Sequence, residues 1–166
     1  MHTGKAQQGK WLISVTNGQK IGDIHDLILD AAVTEVAAVL TGKSGLISRK
    51  SSVVLRAAVQ VFGQDAWLVS GPDVIVVLEE QTGLAVLPLA DLRGREVQTD
   101  GGTKIGTVGD VLLDDHMRVT GILLGKVAIQ GPLAESKKIL KSAIKDLGSA
   151  KTPMLVDLVQ AEAAAS

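Results

Sequence analysis

Residues 20–30 read KIGDIHDLILD, and residues 104–114 read KIGTVGDVLLD. The second stretch repeats the first one 84 positions later and keeps six of its eleven residues. A repeat of this length at a fixed distance is typical of a duplicated folding unit. The sequence therefore predicts two similar small domains in place of one undivided core.

The repeat continues beyond this stretch. Residues 35–43 match residues 118–126, and residues 54–63 match residues 139–148. The turn after Asp114 is one residue shorter than the turn after Asp30, a change that an exposed turn tolerates and a strand does not. We therefore predict a first domain over 8–80, a second over 90–160 and a flexible tail over 161–166.

The pattern of each unit is that of hairpin-connected strands. Asn17-Gly18 and Gly101-Gly102 are tight-turn dipeptides that precede the long repeated strand. Leu55, Val59 and Phe62 are spaced by four and three residues before Gly63, which predicts a short helix at this point of each unit. The predicted fold is all-β, as two tandem small closed barrels, each with one short helix. The linker is expected between about residues 79 and 91.

The composition limits the chemistry. Hydrophobic residues make up 46% and aromatic residues only 2%, so the core must consist of Val, Leu, Ile and Ala. Trp67 is expected to lie in a strand and to belong to the core. The chain has no cysteine, which excludes disulfides and thiolate metal sites. Its longest apolar runs have about five residues, whereas a membrane span needs about 20. A cytoplasmic protein without a membrane span is expected.

The polar residues do not form a recognisable reactive site. Asp114 and His116 lie in a turn, where a carboxylate bonds its own backbone more readily than it joins a metal site of convergent ligands. Asp26 and Asp110 are a matched pair, interpreted as strand-end residues that tie down a turn. Four serines have no histidine partner in a recognisable arrangement: Ser44, Ser48, Ser51 and Ser52. We expect no catalytic, cofactor or metal site, and a protein that is not an enzyme.

Charge is distributed unevenly along the chain. Residues 73–100 carry six acids and two bases, and residues 126–151 carry six bases and two acids. Both segments are typical of solvated faces or of surfaces that dock by complementary charge. We expect Trp11 to anchor the interface between the domains. The candidate interaction surface consists of Trp11 and a lysine stripe on the polar side of the predicted second helix: Lys137, Lys138, Lys141 and Lys145.

The second unit resembles a known family. Residues 92–97 (LRGREV), 100–102 (DGG) and 104–114 are similar to the opening of a PRC-barrel domain. That module is shared by the cytoplasmic part of the photosynthetic reaction-centre H subunit and the C-terminal domain of the ribosome maturation factor RimM. The first unit is similar from Leu12 to Asp30, without a clear counterpart of the Leu-Arg-Gly-Arg start.

The resemblance implies tandem β-barrels of a kind that generally bind other proteins, with shared residues that are scaffold. Three interpretations of function follow. The first is a non-enzymatic interaction or assembly module that binds a protein partner or associates with itself. The second is an RNA- or ribosome-associated accessory factor that uses the lysine stripe, although aromatic platforms for bases are scarce. The third is an accessory protein of a photosynthetic complex.

Overall fold

A computed structural model describes residues 1–42 and 50–165, so Ser44 and Ser48 lie outside the described residues. Strands hold 47% of the residues and helices 19%, which confirms the mainly β prediction. The strands are β1 (His2–Thr3), β2 (Trp11–Ser14), β3 (Lys20–Asp30), β4 (Val36–Thr41), β5 (Ser52–Leu55), β6 (Val59–Phe62), β7 (Ala66–Val69), β8 (Ile75–Val77), β9 (Val86–Pro88), β10 (Glu96–Thr99), β11 (Lys104–Leu113), β12 (Val119–Val127), β13 (Lys138–Leu140), β14 (Ile144–Asp146) and β15 (Met154–Val156). The helices are α1 (Gly4–Gln7), α2 (Leu89–Leu92), α3 (Pro132–Ser136) and α4 (Leu158–Ala165).

The two halves of the chain follow the same path. In the first unit (β2 to β8) the strand order is β6-β7-β2-β3-β4-β5-β8, and in the second unit (β10 to β15) it is β13-β12-β11-β10-β15-β14. Apart from β8, the second order read from right to left is the same as the first, with β10 in the place of β2 and the strands β11 to β15 in the places of β3 to β7. The pairings are antiparallel except for β2 with β7 and β10 with β15, which are parallel in both units.

The helix predicted in each unit is a single 3-10 turn. Arg56–Ala58 joins β5 to β6, and Lys141–Ala143 joins β13 to β14. Each turn bends one extended segment, so that its first half pairs with β4 or β12 and its second half with β7 or β15. Among the described residues no sheet closes through its ladders. Each unit was expected to close into a barrel by strand pairing. Instead, the chain itself connects the two sides of the sheet, through the 3-10 turn between β5 and β6 or between β13 and β14.

The turns with capping carboxylates are confirmed. Asp30 accepts hydrogen bonds from the backbone N–H groups of Thr34 at 2.7 Å and Glu35 at 2.9 Å. Asp114 accepts from the N–H groups of His116 and Arg118 at 2.8 and 2.9 Å. Leu29 pairs with Val36 across the first turn, and Leu113 pairs with Val119 across the second turn. The second turn is therefore shorter by one residue, as the repeat predicts.

The first unit has a counterpart of the Leu-Arg-Gly-Arg start, which its sequence did not reveal. Residues 7–10 (QQGK) occupy the place of residues 92–95. Gly9 and Gly94 both have positive φ, 86° and 87°, a conformation that glycine adopts without steric cost. Their N–H groups donate to the equivalent carbonyls of Ile24 in β3 and Val108 in β11, each at 2.7 Å.

The two units exchange strands. β1, at the start of the chain, pairs with β11 of the second unit, and β9, which precedes the second unit, pairs with β3 of the first. The segment expected to be a linker is thus ordered as β9 and α2, with Leu89 and Leu92 fully buried. Most of the buried apolar residues of both units form one continuous cluster, which includes Trp67 as predicted, and Ile28, Ala38 and Val53 form a second, smaller cluster.

Two equivalent aspartates hold this exchange in place. Buried Asp110 of β11 accepts hydrogen bonds from the backbone N–H groups of Gly4 at 3.1 Å and Lys5 at 2.8 Å. Asp26 of β3 binds Arg93, whose two Nη atoms lie 2.7 and 3.2 Å from its carboxylate oxygens. Burial raises the pKa of Asp26, but the hydrogen bonds from Arg93 and from its own strand outweigh burial and hold that pKa below its usual range. Each carboxylate lies within a long strand and ties one unit to the other, so the strand-end, turn-anchoring role expected of it is wrong.

The end of the chain is helical. α4 covers Leu158–Ala165, and Ala161 within it is fully buried. α4 packs against β13 and α3 of the second unit. This packing orders most of the segment expected to be a flexible tail.

Gly22 and Gly106 end the two Lys-Ile-Gly sequences of the repeat, and replacing them by alanine is predicted to have opposite effects on stability. A Cβ at Gly106 would overlap the carbonyl oxygen of Lys126, because β12 extends to Val127 beside it, whereas a Cβ at Gly22 would meet the Thr41 side chain at 3.9 Å. Gly106→Ala should lose about 1–3 kcal/mol of unfolding free energy. Gly22→Ala should be neutral or gain up to about 1 kcal/mol. Urea unfolding followed by circular dichroism measures both, and equal losses would contradict the structure.

The contact between Arg93 and Asp26 is predicted to contribute to stability. Arg93→Ala removes two charge-assisted hydrogen bonds and leaves Asp26, whose side chain is 16% exposed, without its cation. The expected loss is about 1.5–3 kcal/mol of unfolding free energy. The control is Lys145→Ala, which breaks the solvent-exposed pair with Asp100 and should cost nothing measurable. A loss in the control as large as in Arg93→Ala would show that partial burial of the pair is irrelevant.

Candidate interaction surface

The four lysines of the candidate surface do not share a helix. Lys137 follows α3 in a left-handed conformation, Lys138 lies in β13, Lys141 begins the 3-10 turn and Lys145 lies in β14. All four are exposed. The predicted stripe of lysines on one face of a helix is therefore wrong. The four lysines are spread along a bent segment that runs from the end of α3 to β14.

Only part of the lysine set comes together. Lys141 and Lys145 line an open hollow of about 170 Å³ beside Val33 of the first unit. Lys145 Nζ lies 2.8 Å from the Asp100 carboxylate. Hydrogen bonding and charge in this pair raise the pKa of Lys145 and lower the pKa of Asp100. One of the four positive charges is therefore compensated within the chain, which weakens the set as a site for an anionic polymer.

Trp11 is a surface residue of the first unit. Its side chain is on the outside of β2 and is 52% exposed, and the Lys20 ammonium lies 4.4 Å from the ring centroid. The expected anchor between the domains is therefore absent at this position. The role of Trp11 in an interaction surface stays a prediction, which its exposure favours.

Trp11 and four other large apolar residues lie on the same outward face of three adjacent strands. Val61 of β6 pairs with Leu68 of β7, and Leu68 pairs with Ile13 of β2. Val61 is 47% exposed, Val15 beyond the end of β2 is 43% exposed, and Ile13 and Leu68 are partly exposed. We call this set the first outer face: Trp11, Ile13, Val15, Val61 and Leu68.

The equivalent face of the second unit has a different character. Matching the two ladders strand by strand places Glu96, Gln98 and Asp100 where the first unit has Trp11, Ile13 and Val15. Asp146 replaces Val61, and Leu155 replaces Leu68. We call this set the second outer face: Glu96, Gln98, Asp100, Asp146 and Leu155. Four of its five residues are polar or charged.

The sequence contained a signal for the first outer face that inspection of one unit does not reveal. Residues 11–15 (WLISV) have apolar residues at both parities except at Ser14, so the buried side of β2 is not evident from this segment alone. In the matching segment of the second unit, residues 96–100 (EVQTD), the residues of one parity, the first, third and fifth, are all polar or charged. The apolar residues at that parity are therefore the ones that face outward.

Another polar feature of the surface is a cleft of mixed charge. An open cleft of about 350 Å³ between α2 and the loop before β15 is lined by cations and anions together: Arg93, Arg95 and Lys151 with Asp91 and Glu96. Across residues 1–42 and 50–165, no three His, Cys, Asp or Glu residues are grouped as metal ligands. In the same part of the chain, no helix has the length and apolarity needed to cross a membrane.

Comparison with known proteins gives a family match for one segment of the chain. Residues 86–140 match the family model of the PRC-barrel domain, from β9 through β13. The chain therefore carries a PRC-barrel domain. No curated protein matches the chain.

Proposed function

We propose that this protein is a non-enzymatic interaction module, which binds a protein partner through the first outer face. The observation that supports this proposal is the difference between two copies of one fold. Both units build the same three strands, yet only the first places Trp11, Ile13 and Val15 outward. Since the second unit folds with Glu96, Gln98 and Asp100 at these positions, the fold itself does not require apolar residues there.

The chemistry of the first outer face suits a protein surface. Apolar residues scattered singly over a protein need no explanation, but a contiguous apolar patch marks a contact site. Tryptophan is enriched among residues that dominate binding free energy at protein interfaces. Lys20, which stacks on Trp11 and pairs with Asp23 at 2.9 Å, supplies a polar rim. The expected occupant is an apolar, uncharged region of a partner protein.

The RNA-associated interpretation has less support. The lysines do not form a stripe, and Lys145 is paired with Asp100. Within residues 1–42 and 50–165, we find no specific observation that favours an RNA site or a role in a photosynthetic complex.

The proposal predicts that cross-linking depends on the face. A photoreactive benzophenone amino acid is placed at Trp11 or, as the matched control, at Glu96, and the full chain is irradiated in cells that express it naturally. We expect a defined protein adduct from position 11 and at least a tenfold weaker one from position 96. Val61→Glu, which brings a charge onto the first outer face, should abolish the adduct, whereas the exposed Asp146→Ala should not.

Circular dichroism must show that both variants are folded. Equal adducts from positions 11 and 96, or an adduct that survives Val61→Glu in a folded protein, would overturn the proposal.

A further inference from the structure

β6 is an edge strand without the charged residues that edges commonly carry. It pairs with β7 on one side and has no second ladder among the strands of the described residues. Its sequence, Val-Gln-Val-Phe, contains no charge, and Gln60 and Val61 are exposed. Natural proteins commonly place lysine or another charge on an open edge, because unpaired backbone groups there can pair with another chain.

The second unit provides the comparison. β14 occupies the same edge position and reads Ile-Lys-Asp, with Lys145 and Asp146 in place of Gln60 and Val61. Both strands carry an irregularity at the same point, where the pairing skips Gln60 or Lys145. The bulge that distorts an edge is thus common to both units, and the charges are present in the second unit alone.

We propose that β6 is the site at which two copies of this chain associate, by antiparallel pairing of β6 with the β6 of a second copy about a twofold axis. This inference rests on the proposed function and names the partner of the same surface. The pairing would continue the sheet of the first unit into the sheet of the second copy. Val61 belongs to both the edge and the first outer face, so the two apolar faces would become contiguous.

The charge pattern favours a second copy as the occupant. In an antiparallel pair with twofold symmetry, the residue at the axis faces its own copy. On β6 this residue is Gln60 or Val61, and neither meets a like charge. On β14 it is Lys145 or Asp146, which would oppose the same charge directly, an arrangement that destabilises a strand pair. The first unit is therefore compatible with its own copy, and the second unit is not.

The size of the edge sets the strength of the association. β6 has four residues, and a stable interface buries about 800 Å² on each partner. The strand alone is smaller than this area, so we expect a weak dimer that dissociates on dilution.

Single cysteines test the geometry directly, because the chain has no native cysteine. Gln60→Cys and Val61→Cys place a thiol on β6, and Lys145→Cys and Asp146→Cys are the matched controls on β14. A disulfide forms only when the two Cα atoms lie within about 7 Å. After mild oxidation we expect one of the β6 variants to give at least ten times more covalent dimer than either β14 variant. Absence of dimer from both β6 variants, or equal amounts from the two strands, would overturn the inference.

Sedimentation velocity over a dilution series tests the unmodified chain. Val61→Lys brings a lysine to the edge and should raise the dimer dissociation constant at least tenfold. Asp146→Lys, the same side chain at the equivalent position, should leave it unchanged, and circular dichroism confirms the fold of both variants. A wild-type chain that stays monomeric at all concentrations would refute the dimer.

The two proposals fail separately. A photo-adduct between position 11 and a different protein, together with a monomeric chain, would refute the dimer and leave the interaction module standing. An adduct with the mass of two copies would support both.

Discussion

Two short strands cross between the units, β1 onto β11 and β9 onto β3. Strand pairing satisfies backbone groups that would otherwise be exposed along the edge of each long strand. Asp110 fixes one crossing through the N–H groups of Gly4 and Lys5, and Asp26 fixes the other through Arg93. The units cannot separate without exposing these groups, so the orientation of one outer face relative to the other is set by the exchange.

The repeat made much of each unit predictable. Turn residues such as Asn17-Gly18 and the capping Asp30 and Asp114 act within a few residues of the chain, so their local sequence contains the information needed to place them. The long strands and the burial of Trp67 follow from apolar segments bounded by these turns. The match of one PRC-barrel model to residues 86–140 agrees with the segment that carried the resemblance.

The remaining features depend on contacts between distant residues. The spacing of Leu55, Val59 and Phe62 fits a helix, but it is also compatible with two short strands joined by a 3-10 turn. β1 and β9 have two and three residues, too few for any periodicity, and their partners lie in the other unit. Of the Leu-Arg-Gly-Arg start, the first unit keeps only the glycine, because the positive φ at Gly9 favours glycine.

A duplicated domain begins with two identical surfaces, and the physical constraints on its residues are unequal. Core positions must fill the same interior in both copies, so Leu12 and Val97 both remain fully buried and apolar. Outward positions have no such constraint, and there Trp11 stands opposite Glu96 and Val61 opposite Asp146. Apolar side chains that face water add little to the stability of their own unit and favour association. Because the uncharged edge of β6 and the first outer face share Val61, a second copy that pairs with the edge places its own apolar face beside this one, and the two form one larger apolar surface.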